Sequence, residues 1–123
     1  MQLYFLIALG GACGAMSRYG IAQMVNTYLS AIHWPVATFA VNFTGSFAIG
    51  AAYVLITEKS ALHSDWRYVL IVGFLGAFTT FSTFSLEAVT LFEAGKALLA
   101  ASYMLATLAS CILGCWLGIL LIR

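Results

Sequence analysis

Thr79, Thr80, Ser82, Thr83 and Ser85 place five hydroxyls within seven residues, inside the stretch GFLGAFTTFSTFSLE at 73–87. The flanking residues are apolar enough for a membrane helix, and a hydroxyl that faces only hydrocarbon loses its hydrogen bonds to water. Three recipients remain: carbonyls of the same helix, a neighbouring helix, or an aqueous ion path. Phe81 and Phe84, three residues apart, fall on nearly one helical face beside a line formed by Thr80 and Thr83. A phenyl ring has a positive edge, so two ring edges offer an anion electropositive contact without a full charge. A fixed lysine would hold the anion more tightly, whereas conduction needs binding loose enough to release. Hydroxyl-bearing and β-branched residues also compete with helical backbone bonding, which admits a break in the helix near the middle of this segment. Carbonyls freed there need protein, water or a small hard cation. The plainer alternative is that the hydroxyls bond back to their own helix and the phenylalanines simply pack.

The elements that carry this stretch follow from composition. The 123 residues are 63% hydrophobic and 7% charged, where a soluble domain carries roughly 25% charged residues. An all-α membrane protein is expected. Hydrocarbon about 30 Å thick takes roughly 20 apolar residues per helix, so one transmembrane domain over residues 1–123 has four helices, at about 3–28, 36–57, 68–92 and 97–122. A formal net charge of +1 and the lack of a basic run exclude a nucleic-acid reader. Residues 1–17 lack a basic start and read as a retained first helix rather than a signal peptide. Cys13, Cys111 and Cys115 all fall inside helices and read as small packing residues, since two thiols four apart make a poor metal site without further ligands.

In the first helix Gly10 and Gly14 have the spacing that lets helices approach closely. Arg18 interrupts the same helix, and two readings of it stand: a side chain snorkelling toward an interface, or an anion-attracting charge at a pore mouth. Pro35 starts the second helix. Asn42 within that helix is either an interhelical hydrogen-bond clip or a pair of N–H donors aimed at an anion. Asn42-Phe43-Thr44 also matches a glycosylation acceptor, but at membrane depth the match is spurious. Residues 58–67 form the hydrophilic loop, where His63 reads as a solvated side chain. Lys59, Arg67 and Arg123 lie on one side of the membrane and Lys96, with Arg18, on the other. That bias scarcely specifies an orientation, so an antiparallel pair of identical chains is open to this sequence.

The segments GGACGAMSRY, TFAVNFTGSFAIG and GFLGAFTTFSTFSLE, in that order along the chain, resemble the fluoride-channel family called Fluc or CrcB. The resemblance covers essentially the whole chain. It implies an antiparallel, dual-topology homodimer of four-helix subunits in the cell inner (plasma) membrane, with two pores that export cytoplasmic fluoride and so reduce its toxicity. Asn42 is similar to the family's pore asparagine, and Phe81 and Phe84 to its paired phenylalanines. Ser82 and Thr83 match the hydroxyl lining, Tyr103 a pore tyrosine of the fourth helix, and Arg18 the vestibule arginine. Gly76 and Thr79 fall where backbone carbonyls, two from each chain, hold a structural sodium ion at the subunit interface. Cys111 stands where the family has a serine, with Ser110 beside it.

A small drug/proton antiporter is the competing function, since it too uses four short helices in dual-topology dimers. Its chemistry needs an embedded carboxylate to exchange protons. The first helix has no acid, and Glu87 near the end of the third is the sole candidate. An enzyme is not expected, because the embedded residues assemble no nucleophile, base and orienting group.

Overall fold

The computed structural model describes residues 1–123, and it is all-helical. Four helical spans, Gln2–Tyr28, Val36–Glu58, Arg67–Glu93 and Ala97–Ile122, are long and apolar enough to cross a membrane. At about 1.5 Å per residue even 20 residues reach across the roughly 30 Å of hydrocarbon. Helix α1 (Gln2–Tyr28) is the first span. Helix α2 (Val36–Tyr53) begins directly after Pro35 and continues into a π-helical turn, Val54–Glu58. The third span opens with π-helical turns over Arg67–Leu75, then α3 (Gly76–Phe78), then α4 (Phe81–Glu93). Helix α5 (Ala97–Ile122) is the fourth span, reached through a turn at Gly95, whose φ is 78°.

The four spans pack as two close pairs. Helix α1 lies against the first half of the third span, and α2 lies against α5. A Cβ on Gly10 would run into the Val69 carbonyl, and one on Gly14 into the Phe74 carbonyl. At the other pair, a Cβ on Gly118 would run into the Phe47 carbonyl. These three glycines let main chain touch main chain, where dispersion between many atoms replaces the hydrophobic drive that lipid cannot supply. Outside the pairs, Phe5, Leu98, Leu105, Ile112 and Leu121 are all more than half exposed. Such a surface suits hydrocarbon and would aggregate in water.

Between α3 and α4 the backbone leaves the helix. Thr79 has φ −86° and ψ 156°, and Thr80 has φ −152° and ψ 120°. The amide of Asn42 meets this segment with both of its ends: Asn42 Nδ2 donates to the Thr80 carbonyl at 3.0 Å, and the Thr80 N–H donates to Asn42 Oδ1 at 2.8 Å. Thr80 then caps α4, its Oγ1 accepting the Thr83 N–H at 3.2 Å. A Ser or Thr side chain in that position satisfies a donor that the first helical turn leaves open. Gly45, one turn along α2 from Asn42, makes room for the displaced residue, since a Cβ there would collide with Thr79 Cγ2.

The ends of the second and fourth spans are tied at the surface. Arg123 Nε donates to Glu58 Oε2 at 2.9 Å and Arg123 Nη2 to Glu58 Oε1 at 2.5 Å. Near the opposite membrane face, Trp34 Nε1 donates to Ser102 Oγ at 3.4 Å, linking the loop before α2 to α5.

Two outcomes follow for stability in detergent, read as the midpoint of denaturation. Gly14→Ala forces two main chains apart and is expected to cost about 1–3 kcal/mol, the usual range for overpacking, whereas Gly20→Ala, where nothing lies within 4 Å, should be neutral or gain roughly 0.5–1 kcal/mol. Asn42→Leu strips the half-buried N–H and carbonyl of Thr80 of their partners, so a loss of about 1–3 kcal/mol is expected. A Leu variant as stable as the parent would remove the clasp from its place in the fold.

Candidate ion path

The hydroxyl run divides into two groups. Thr79 Oγ1 and Ser85 Oγ bond back to their own chain, to the carbonyls of Leu75 and Phe81, both at 2.9 Å. Thr80, Ser82 and Thr83 instead bond to one another: Thr80 Oγ1 lies 3.2 Å from both Ser82 Oγ and Thr83 Oγ1. The back-bonded pair is what an ordinary membrane helix does with hydroxyls. The second group is a local polar cluster at the start of α4.

A cavity of about 210 Å³ opens beside this cluster, walled by Asn42, Thr79, Thr80, Phe81 and Phe84. Ser46 from α2 and Thr107 and Cys111 from α5 complete its polar side. The Phe81 and Phe84 ring centroids are 5.4 Å apart with planes tilted by 50°. The two rings differ in setting: Phe84 is 6% exposed and Phe81 is 72% exposed. Phe84 is held by Tyr103, 5.1 Å away between centroids, and Tyr103 in turn meets Trp34 edge-on at 5.2 Å. The wall carries no formally charged residue. One of the two N–H bonds of Asn42 is engaged by the Thr80 carbonyl, which leaves the amide a second donor.

On the other side of Thr80 a smaller cavity of about 80 Å³ is lined by Arg18, Thr38, Thr80 and Thr83. It adjoins a wider one of about 470 Å³, which shares Thr38 and Thr83 with it and adds Asn26, Trp34 and Glu87. Arg18 does not snorkel freely: its Nε donates to the Ala77 carbonyl at 3.1 Å, next to the point where α3 ends. Thr38 Oγ1 donates to Glu87 Oε1 at 2.5 Å. Asn42, Phe81, Phe84 and Thr79 thus share one cavity, while Arg18 and Thr83 face the neighbouring one. Ser82 is exposed beside them, and Tyr103 is fully buried behind Phe84 with its hydroxyl unpartnered.

The hydrogen bonds around the carbonyls of Gly76 and Thr79 decide whether these oxygens are free to meet a cation. In a continuous helix the Thr80 N–H would reach the Gly76 carbonyl and the Thr83 N–H the Thr79 carbonyl. Here the first goes to Asn42 Oδ1 and the second to Thr80 Oγ1, and no other backbone donor takes their place. Gly76 is also exposed on the outside of the chain. Two free, neutral oxygens suit a small hard cation, which takes oxygen ligands only. They fit, and they fall short of a full ligand set for one chain alone.

Several polar wall residues lay outside the sequence-based set: Thr38 and Ser46 on α2, Thr80 on the connection, and Thr107 and Cys111 on α5. A signal for most of them exists. Thr38, Asn42 and Ser46 repeat every four residues, as do Tyr103, Thr107 and Cys111, so each set forms a polar stripe on one face of an apolar helix. The stripe also resolves the choice between neighbours, since Cys111 lines the cavity and Ser110 does not.

Residues 5–119 match the family model described as CrcB-like protein, Camphor Resistance (CrcB). A Saccharophagus degradans protein named fluoride-specific ion channel FluC is 47% identical over 104 residues, covering 85% of this chain and 77% of that protein. A protein of the same name from Hahella chejuensis is 44% identical over 117 residues, covering 95% and 91%. A third, from Coxiella burnetii, is 40% identical over 119 residues, covering 96% and 95%. With its family model spanning nearly all of the four helical spans, this chain belongs to the CrcB family.

Proposed function

We propose that this protein is a fluoride-selective passive channel, not an enzyme, which lets cytoplasmic fluoride leave the cell across the inner (plasma) membrane. The observation that carries the reading is the neutral cavity where Asn42 meets Phe81 and Phe84. The names of the relatives supply the ion.

Fluoride is small and strongly hydrated, so a path must replace water with donors. The free N–H of Asn42, the hydroxyls of Ser82 and Thr83, and the positive edges of Phe81 and Phe84 supply them without a fixed charge, while Tyr103 backs the Phe84 ring. Such contacts hold an anion and still let it go. Arg18, beside the neighbouring cavity, draws anions toward the vestibule.

The working form is an antiparallel homodimer with dual topology, its third helix broken at Thr79 and Thr80. Phe81 projects from the single chain, so a second copy is what would enclose it. The Gly76 and Thr79 carbonyls of both chains hold one sodium ion at that interface. Bound there, it supplies positive potential without a mobile side chain in the path.

Purified protein in liposomes is expected to release fluoride quickly and chloride not at all. Phe81→Ile should slow fluoride by up to about tenfold, the factor that roughly 1.4 kcal/mol represents and the upper end of what a single aromatic contact is worth, about 0.5–1.5 kcal/mol. Vesicles that retain fluoride but take up a lipophilic cation against a proton gradient would replace the channel with an antiporter. Exchanging sodium for a large organic cation on both sides should lower fluoride efflux, and restoring sodium should recover it. Efflux indifferent to that exchange would remove the sodium ion from the reading.

A further inference from the structure

A row of aromatic rings runs from the loop before α2 to the ion path. Trp34 meets Phe39 at 5.0 Å between centroids, and it meets Tyr103 edge-on at 5.2 Å with the planes 85° apart. Tyr103 lies 5.1 Å from Phe84, and Phe84 lies 5.4 Å from Phe81 in the wall of the 210 Å³ cavity. Of these side chains only Trp34 and Tyr103 carry a hydrogen-bonding group. The Tyr103 hydroxyl has no partner, so no hydrogen bond fixes the direction of its ring. Trp34 is tied down: its Nε1 donates to Ser102 Oγ at 3.4 Å, and that hydroxyl is itself oriented by donating to the Leu99 carbonyl at 2.7 Å. The row therefore has one polar anchor, at the end away from the cavity. Tyr103 and Phe84 are buried and Trp34 is half-buried, which makes the indole the outer backing of Tyr103. Without it, Tyr103 has room to tip, since packing contacts alone hold its ring.

We propose that Trp34 is a positioning residue for the anion path: it holds Tyr103, and Tyr103 fixes the way the Phe84 ring is turned in the cavity wall. The orientation matters because a ring offers an anion its positive edge and not its negative face. That last step rests on the channel reading. Trp34 lines the 470 Å³ cavity and not the 210 Å³ one, so its influence on the ring pair is carried through Tyr103. Ser102, exposed on α5, belongs to the same device, because it sets the indole that sets the tyrosine.

The test pairs fluoride efflux from liposomes with a direct reading of the ring. Full-length protein carrying para-fluorophenylalanine in place of Phe84 gives a fluorine NMR resonance that reports the packing of that side chain. Trp34→Leu should shift or broaden the resonance and slow efflux by about two- to tenfold, the span of a single aromatic contact. Trp116→Leu, at a site on α5 that is 57% exposed, should change neither. Trp34→Phe keeps a ring without the anchor and Ser102→Ala removes only the acceptor, so both should fall between the parent and Trp34→Leu. Added to Phe84→Leu, Trp34→Leu should slow efflux no further, because the ring through which it acts is gone. An unmoved resonance in Trp34→Leu overturns the proposal. So does a full second loss on top of Phe84→Leu, which would mean that the indole meets the ion itself or acts on the fold at large. If Trp34→Leu does not fold, Ser102→Ala is judged by the same two readings, and if Phe84→Leu alone abolishes efflux, the resonance decides. A parent that never conducts fluoride removes the channel reading instead, and the resonance still decides whether Trp34 positions the Phe84 ring.

Discussion

The double hydrogen bond between the Asn42 amide and the Thr80 main chain is the constraint on which the rest of this structure depends. Lipid offers nothing to a backbone that leaves the helix, so an extended residue at membrane depth survives only if a neighbour satisfies it. Asn42 does so with one donor and one acceptor, at 3.0 and 2.8 Å. With Thr80 held in extended geometry, its side chain is free to cap α4, and the direction of α4 then sets where Phe81 and Phe84 point. The same clasp diverts the Thr80 N–H from the Gly76 carbonyl. One buried amide thereby fixes the ring pair, the polar cluster and the freed carbonyls together.

The close helix pairs serve this arrangement from outside. Helix α2 carries Asn42 and is pinned to α5 by main-chain contact at Gly118, while α1 is pinned to the first half of the third span at Gly10 and Gly14. Each half of the interrupted third span is therefore seated on a different partner: the first half on α1 and α4 on α5. Within the first pair, Arg18 reaches from α1 to the Ala77 carbonyl near the end of α3. A charged group at that depth is costly unless paired with backbone or water, and here a carbonyl left open at a helix end receives it.

Much of this was legible in the sequence, because hydrocarbon imposes length and because five hydroxyls in an apolar segment demand recipients. The special status of Asn42 and the pairing of Phe81 with Phe84 were visible for the same reason. What the sequence left open was the identity of partners. Asn42 read equally as a clip or as an anion donor, and the structure makes it a clip to backbone rather than to another side chain, with one N–H to spare. Arg18 read as a snorkelling or a pore-mouth residue, and its carbonyl contact depends on a helix end whose position no local pattern marks. Cys111 and Ser110 are separated by one helical step of about 100°, so a shift of one residue in alignment exchanges a thiol for a hydroxyl. The four-residue spacing from Tyr103 through Thr107 was the feature that would have chosen between them.

Thr80 lines both the 210 Å³ cavity and the 80 Å³ cavity behind it. The two cavities therefore share one side chain, a hydroxyl and a methyl on a single rotatable bond. Rotation of a side chain takes picoseconds to nanoseconds when it is free, against microseconds to milliseconds for sliding of helices. Turning the side chain that the two cavities share is accordingly a matter of one torsion and the capping bond to the Thr83 N–H, and it asks no movement of the four spans.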